Sequence, residues 1–244
     1  MHDSATQLKL WYQQPLGEQV FAAQQKVIAS LLPQLFGYHA LQIGGAWCYQ
    51  SLLQHSPIKH HTVLESYKPE AGGVQGVPEH LPFATDSVDL VLLFHTLENC
   101  SDPHQVLREV YRVLIPDGHL IIVGFNPLSL WGIWKLLVGW FKSAPWNHHF
   151  FVGYRLLDWS RLLGMEVLKN ETVFFRPPIA NINILEKLQF MDKYGPRFLS
   201  FAGAQRILLA RKHIVPLTPI VSRWQPKVSF LGGTVGPTTR KSGY

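Results

Sequence analysis

The sequence predicts a doubly wound α/β fold with a mostly parallel, seven-stranded sheet. Short apolar segments alternate with amphipathic helical segments over residues 40–124, a pattern typical of a parallel sheet with helices on both faces. Within that region Val88–Phe94 is an almost continuous apolar run, which indicates a central strand buried on both faces.

Each predicted element follows from local patterning. Residues 18–33 place apolar side chains at helical spacing and predict an amphipathic helix before the first strand. A strand over 40–45 enters a Gly-Gly turn, and residues 46–55 fit the helix that follows. Later helices begin at Asp102, a good capping residue, and span Tyr154–Leu163. The other six strands are predicted at 62–64, 74–77, 88–94, 119–124, 166–175 and 206–211.

Length and composition fit one globular domain. The chain has 244 residues, of which 47% are hydrophobic and 16% charged. We assign the domain to residues 1–212, with its core at 37–126, and expect an irregular basic tail over 213–244. Two cysteines cannot build a disulfide framework, and neither a signal peptide nor an 18-residue apolar run is visible. We therefore expect a cytoplasmic protein.

The net charge of +6 is unevenly placed, because nine Lys and Arg residues but no acidic residue follow Asp192. A basic end on a mildly acidic body favours contact with an anionic partner such as phospholipid or nucleic acid. A solvated tail that aids solubility explains the same charges. Because no nucleic-acid motif or aromatic-basic platform is present, we expect no specific nucleic-acid partner.

The first strand-to-helix turn is the predicted ligand site, since open α/β sheets bind ligands where the strand order reverses. Gly44 and Gly45 let the backbone turn tightly and approach a ligand there. Glu65 ends the second strand about twenty residues later, where an acidic side chain usually binds ribose hydroxyls. The adjacent histidine pairs at 60–61 and 148–149 lack metal-ligand spacing, so we expect no metal site.

Residues around the fourth strand occur in the order and spacing of one enzyme family. They are Leu81-Pro82-Phe83, Asp86-Ser87-Val88-Asp89-Leu90-Val91 and His95-Thr96-Leu97-Glu98, followed by the helix Val106–Leu114 and by Ile115-Pro116-Asp117-Gly118. This block resembles the middle of the type 11 family of class I S-adenosylmethionine-dependent methyltransferases, whose fold is Rossmann-like. Trp11-Tyr12, Pro15, Gly17 and the ending Val215–Pro219 are similar to a subgroup of small proteobacterial methyltransferase-like proteins.

The resemblance implies methyl transfer from S-adenosylmethionine to an unidentified acceptor, with apolar or lipid-like small molecules as candidates. Gly44, Gly45 and Glu65 match the family's cofactor site. The family usually has an acidic residue where Gln42 stands and an Asp where Val77 stands, so these contacts are weakened. Glu79 could reach across to replace the Asp. The alternative is a non-catalytic scaffold that keeps the fold and binds a membrane or protein partner.

His95 ends the fourth strand, so we expect it near the cofactor's sulfonium and the acceptor. There it could act as a general base or orient a substrate hydroxyl. A histidine that only bonds a neighbouring turn is the structural alternative.

Leu128–Lys142 is apolar around most of its predicted helix and forms an insertion after the fifth strand. It could pack in the core, cover an apolar substrate, or lie in a membrane surface. Its tryptophans, Trp131, Trp134 and Trp140, favour the interface. We therefore expect this segment, together with the basic tail, to attach the protein to the anionic inner face of a membrane.

Overall fold

The computed structural model describes residues 2–48, 52–66, 73–138, 153–179 and 181–213, together with Gly236 and Gly243. The chain divides into two units, Met1–Ile214 and Val215–Tyr244. Part of the helix expected over 46–55, the end of the apolar segment at 139–142 and nearly all of the basic tail lie outside the described residues.

The sheet of the first unit contains seven strands among the described residues. They are β1 (His39–Ile43), β2 (His60–Glu65), β3 (Val74–Gln75), β4 (Val88–Phe94), β5 (Leu114–Phe125), β6 (Met165–Val173) and β7 (Gln205–Lys212). Their order is β3-β2-β1-β4-β5-β7-β6. Only β7 runs antiparallel to its neighbours. This confirms the predicted fold, and the strand order reverses beside β1, where a ligand crevice is expected.

The described helices flank this sheet. They are α1 (His2–Tyr12), α2 (Pro15–Leu31), α3 (Pro103–Val113), α4 (Leu130–Val138), α5 (Gly153–Leu162), α6 (Ile182–Lys187) and α7 (Gln189–Phe198). No helix in the described part of the chain is long and apolar enough to cross a membrane. The helices α2, α3 and α5 confirm the predicted ones within a few residues, whereas α1, α6 and α7 were not predicted.

The two faces of β4 supply the two halves of the core. Leu90, Leu92 and Phe94 face a cluster that includes the buried side chains of α1 and α2. Val91 and Leu93 face the opposite cluster, which includes α3 and part of α5. Because successive side chains of a strand point to opposite faces, an unbroken apolar run was the correct signal for a strand covered on both sides.

Two predicted features differ in detail. The turn expected at 116–118 lies within β5 as an irregularity, since the pairing with β4 shifts its register between Val88 and Leu90. Trp131 was expected to reach a membrane surface, and this expectation is wrong. Its side chain is buried, and its Nε1 donates to the carbonyl oxygen of Arg176 at 2.9 Å. A buried indole N–H needs such a partner. Trp131 therefore packs α4 against the rest of the domain and cannot insert into a membrane.

The N-cap of α3 gives a direct test of local stability. Asp102 Oδ1 accepts from the backbone N–H groups of His104 and Gln105 at 2.9 and 3.0 Å. We expect Asp102→Ala to lower the free energy of unfolding by about 1 kcal/mol in urea titrations. Arg108→Ala is the control, since it keeps the cap and removes an exposed ion pair to Asp102 at 3.8 Å and an exposed hydrogen bond to Gln105 at 2.9 Å. If Asp102→Ala and Arg108→Ala lowered the free energy of unfolding equally, the loss would come from the contact between Asp102 and Arg108 and not from the cap.

Candidate active site

A cavity of about 170 Å³ lies at the carboxyl ends of β1, β2 and β4. Four residues that the sequence singled out line it together: Gly44, Gly45, Glu65 and His95. Leu8 of α1 and Trp47 are among the bulky side chains that complete the wall. The cavity is smaller than the roughly 300–1,000 Å³ usual for ligand sites, so these large side chains limit the space.

The glycine turn needs its glycines for conformation and for space. Gly44 and Gly45 have φ values of 79° and 64°, in the left-handed region that other residues rarely adopt. A Cβ at Gly44 would lie 2.7 Å from the carbonyl oxygen of Phe94. The backbone N–H of Gly44 donates to the carbonyl oxygen of Leu64 at 3.1 Å. The turn is therefore packed tightly between the ends of β2 and β4.

Gln42 lies beneath this turn and does not line the cavity. Its fully buried side-chain Nε2 donates to the carbonyl oxygens of Gly44 and Gly45 at 2.9 and 3.0 Å. A carboxylate has no hydrogen to give these carbonyls, so an acidic residue could not make the same bonds. The side-chain Oε1 of Gln42 is buried and has no hydrogen-bond partner.

Glu65 joins the turn to the cavity. Its Oε1 accepts from the backbone N–H of Ala46 at 2.7 Å. Burial raises the pKa of the Glu65 carboxyl, although the Ala46 hydrogen bond partly opposes the shift. The Glu65 side chain therefore lies on the cavity wall, and one of its two carboxylate oxygens is hydrogen-bonded to the glycine turn.

Val77 and Glu79 do not line the described cavity, but Pro78 between them does. Val77 is 47% exposed and pairs with His80 in an isolated bridge beyond the end of β3. Glu79 Oε1 accepts from Ser101 N and Ser101 Oγ at 2.9 and 2.8 Å. Its Oε2 is buried without a partner. A buried acceptor beside the cavity wall is thus left open at Glu79.

His95 is the centre of a buried hydrogen-bond network. Its Nδ1 lies 2.6 Å from Glu98 Oε2, and its Nε2 lies 2.7 Å from the hydroxyl of Tyr12. Gln24 Nε2 donates to that hydroxyl at 3.0 Å. His95 has a φ of 52°, an uncommon conformation for a residue other than glycine, and such residues cluster at functional sites.

One assignment of protons satisfies the network. With Glu98 as the acceptor, Nδ1 of His95 carries a proton and leaves Nε2 as an acceptor for the Tyr12 hydroxyl. Burial raises the pKa of Tyr12 well above its ordinary value, while the Gln24 hydrogen bond works in the other direction. Tyr12 therefore keeps its proton, and a chain of hydrogen bonds runs from Tyr12 through His95 to Glu98.

Sequence reasoning missed three members of this network. Tyr12 comes from α1, where the apolar Leu8, Trp11 and Tyr12 are buried at the i, i+3, i+4 spacing of one helix face, so this short stripe was an available signal. Gln24 gave an available signal: it is a polar residue on the buried stripe of α2, between Val20 and Ile28. Glu98 stood three residues after His95 in the quoted motif, a spacing at which side chains can meet.

Comparisons with known proteins agree with this geometry. A family profile described as a methyltransferase domain matches residues 57–122. The Escherichia coli protein named uncharacterized protein YafS is 35% identical over 212 residues, which cover 85% of this chain and 82% of that protein. A Thermotoga maritima S-adenosylmethionine-dependent methyltransferase structure has a TM-score of 0.63 at 22% identity, covering 84% of this chain and 93% of that one. The chain belongs to the type 11 family of class I S-adenosylmethionine-dependent methyltransferases.

Another relative is the demethylmenaquinone methyltransferase of Lactobacillus johnsonii, with 47% identity over 147 residues. That match covers 57% of this methyltransferase and 54% of the relative, so it spans about half of each protein. The cofactor of this family is S-adenosylmethionine. Membership of the family does not favour the alternative of a non-catalytic scaffold. Among the described residues, no three His, Cys, Asp or Glu side chains come together as metal ligands.

The hydrogen bonds of Gln42 predict an unusual response to restoring the family's acid. We expect Gln42→Glu to lower the free energy of unfolding by about 2 kcal/mol, since two hydrogen bonds of roughly 1 kcal/mol are lost. It should not tighten cofactor binding, because the new carboxylate faces two carbonyl oxygens.

Urea titration measures the free energy of unfolding, and calorimetry measures the affinity for S-adenosylmethionine. The control is Gln34→Glu, which adds the same charge at an exposed position. A Gln42→Glu variant of wild-type stability with tighter binding would show that the amide is not needed to hold the turn.

Proposed function

We propose that this methyltransferase transfers a methyl group to a small, apolar, lipid-like acceptor that carries an ionisable hydroxyl. The observation behind the proposal is the shared cavity wall. The glycine turn, the Glu65 carboxylate and the strained His95 all line one cavity at the reversal of the strand order. The turn and Glu65 then serve the cofactor, and His95 serves the acceptor.

The residues present fit the hydrogen-bonding groups of S-adenosylmethionine, which supplies a methyl group activated by its positively charged sulfur. Its donors are an ammonium group, ribose hydroxyls and an adenine amino group. Two nearby acceptors are buried without partners, Gln42 Oε1 and Glu79 Oε2, and Glu65 supplies a carboxylate on the wall. Because buried polar atoms are nearly always satisfied, these open acceptors favour a bound donor. We assign Glu65, which lines the cavity, to the ribose. Gln42, Glu79 and Val77 do not line the cavity, so their assignment to the ammonium, the amino group and the adenine requires the wall to open when the cofactor binds.

His95 and its partners suit removal of a proton from the acceptor. The acceptor's hydroxyl gives its proton to the Tyr12 oxygen, while the Tyr12 proton passes to His95 Nε2. The acceptor is left with a nucleophilic oxygen, and the imidazolium formed at His95 is stabilised by the Glu98 carboxylate. The 2.7 Å and 2.6 Å hydrogen bonds align the part of this path from Tyr12 through His95 to Glu98. Tyr12 itself is buried behind the cavity wall, so the first transfer requires the acceptor to reach past that wall.

Aromatic side chains around the network favour a flat, apolar acceptor. The Tyr12 ring lies 5.3 Å from the Trp47 ring and 5.7 Å from the Phe94 ring, measured between centroids. Such rings stack with other aromatic rings. The names of demethylmenaquinone methyltransferase and a Caenorhabditis elegans 2-methoxy-6-polyprenyl-1,4-benzoquinol methylase, 29% identical over 96 residues, indicate acceptors of this chemistry. A lipid-soluble acceptor suits a cytoplasmic protein attached to the inner face of a membrane.

Cofactor binding tests the assignment of Glu65. Calorimetry should detect binding of S-adenosylmethionine to the wild-type protein. Glu65→Gln should weaken this binding at least tenfold, because a hydrogen bond to a charged group contributes about 1.5–3 kcal/mol. The pKa of Glu65 is raised, so it gains a proton at a higher pH than an ordinary glutamate. Affinity should therefore fall as the pH is lowered through that raised pKa, and Glu65→Gln should remove this dependence.

Glu18→Gln, at an exposed position on α2, is the matched control and should bind like the wild type. Absence of binding at millimolar S-adenosylmethionine in the wild-type protein would contradict the proposal and restore the scaffold alternative.

Methyl transfer to a soluble hydroquinone tests the proton path. We expect His95→Gln to lower kcat by 10²- to 10⁴-fold, the usual contribution of a general base, with little change in cofactor affinity. Tyr12→Phe should also lower kcat, since the phenyl ring keeps the packing but cannot pass a proton. Glu98→Gln should also lower kcat, because it removes the charge that stabilises the imidazolium.

His104→Gln changes an exposed histidine on α3 and serves as the control. A folded His95→Gln variant with wild-type kcat would assign the network to structure alone.

A further inference from the structure

The helices α4 and α7 flank an apolar groove of about 500 Å³ that is separate from the active-site cavity. Leu130 and Ile133 of α4 form one side, and Phe190, Tyr194 and Phe198 of α7 form the other. The three aromatic residues recur every four residues, so they stand on one face of α7. The groove therefore lies between two helices that turn apolar side chains outward.

Exposed hydrophobic side chains are concentrated around this groove. Of the eighteen large hydrophobic residues that are exposed in the described part of the chain, twelve lie within residues 128–137 and 184–201. We call these two segments the α4–α7 face. Exposed apolar patches larger than a few hundred Å² are rare on monomeric proteins and mark interaction sites.

The α4–α7 face extends beyond the groove. Leu136 and Leu137 are 83% and 72% exposed and do not line the groove, yet Leu137 continues the helical stripe of Leu130 and Ile133. Phe198, on the groove wall, is 76% exposed. A small ligand in the groove would leave both leucines in water, whereas an extended apolar surface would cover them all.

Charges beside the apolar residues identify the kind of surface. Lys187, Lys193 and Arg197 are exposed on α6 and α7, and the exposed Glu186 offsets the charge of its neighbour Lys187. The two remaining cations, Lys193 and Arg197, adjoin Tyr194 and Phe198 in sequence. Asp192 on the same helix is neutralised by Arg176, with 2.7 Å between Asp192 Oδ2 and Arg176 Nε. Aromatic and leucine side chains flanked by cations are the composition of helices that lie in the headgroup region of anionic membranes.

We propose that the α4–α7 face docks on the surface of an anionic phospholipid bilayer. This deepens the proposed function, because a lipid-like acceptor resides in such a bilayer. Compared with the expectation from sequence, which placed the contact on Leu128–Lys142 and the basic tail, the buried Trp131 is excluded, the exposed residues of α4 remain and α7 is added. A protein partner or a second copy of the chain is the competing occupant, and neither requires anionic lipid.

Co-sedimentation of the full chain with vesicles tests the proposal. Binding is compared between phosphatidylcholine vesicles with and without phosphatidylglycerol, at low and high salt. We expect binding that requires phosphatidylglycerol and falls with salt. Leu137→Ser with Phe198→Ser should reduce the partition coefficient at least tenfold. Lys193→Ala and Arg197→Ala should each reduce it about fivefold, the effect expected for one cation near an anionic surface.

The matched control is Phe36→Ser with Leu162→Ser, which removes two equally exposed apolar side chains, 74% and 77%, outside the α4–α7 face. This control should bind vesicles like the wild type. The proposal is overturned if the wild-type protein stays in the supernatant, if neutral vesicles bind it equally, or if Leu137→Ser with Phe198→Ser leaves binding unchanged. The last result would assign any vesicle binding to other residues, such as those of the basic tail.

Calorimetry with S-adenosylmethionine on the same samples separates this proposal from the proposed function. Cofactor binding that survives in Leu137→Ser with Phe198→Ser shows that the variant is folded and that only docking is lost. If the wild-type protein bound vesicles but not S-adenosylmethionine, the docking proposal would stand and the proposed function would be contradicted.

Discussion

The hydrogen bond between His95 and Glu98 fixes the geometry on which the rest of the site depends. His95 adopts a left-handed backbone conformation at the end of β4, and the carboxylate of Glu98 holds its ring at 2.6 Å. Glu98 also accepts from the backbone N–H of Phe125, so one side chain ties the end of β4 to the end of β5. Because Tyr12 bonds the other nitrogen of His95, the position of α1 follows from the same interaction.

The fold could be predicted because its determinants are local. The unbroken run of β4, the cap at Asp102 and the glycine turn each encode a conformation within a few residues. The contacts of the site are different, since Tyr12 and Gln24 meet His95 across 83 and 71 residues of chain. No periodicity within a short window records such a contact, which exists only after the sheet and α2 have packed.

Gln42 illustrates a second limit of reading residues singly. The family usually has an acidic residue at the position of Gln42, so the sequence alone predicts the loss of a negative charge and a weaker contact with the cofactor. In the structure its amide supplies two donors to the carbonyls of the turn and keeps an open acceptor. An amide combines both roles, whereas a carboxylate offers only acceptors. The substitution therefore changes how the turn is held, and residue type alone could not show this.

Aromatic packing connects the active site with the outer helices. The Phe125 ring lies 4.6 Å from the His95 ring and 6.3 Å from the Trp131 ring, and Trp131 packs edge-on against Phe174 at 5.9 Å. Close-packed interiors transmit displacements, since they contain few voids to absorb them. A movement of α4 would therefore reach the ring of His95 through two side chains. The buried rings of Trp131 and Phe125 are thus the physical connection between α4, which carries part of the α4–α7 face, and the ring of His95.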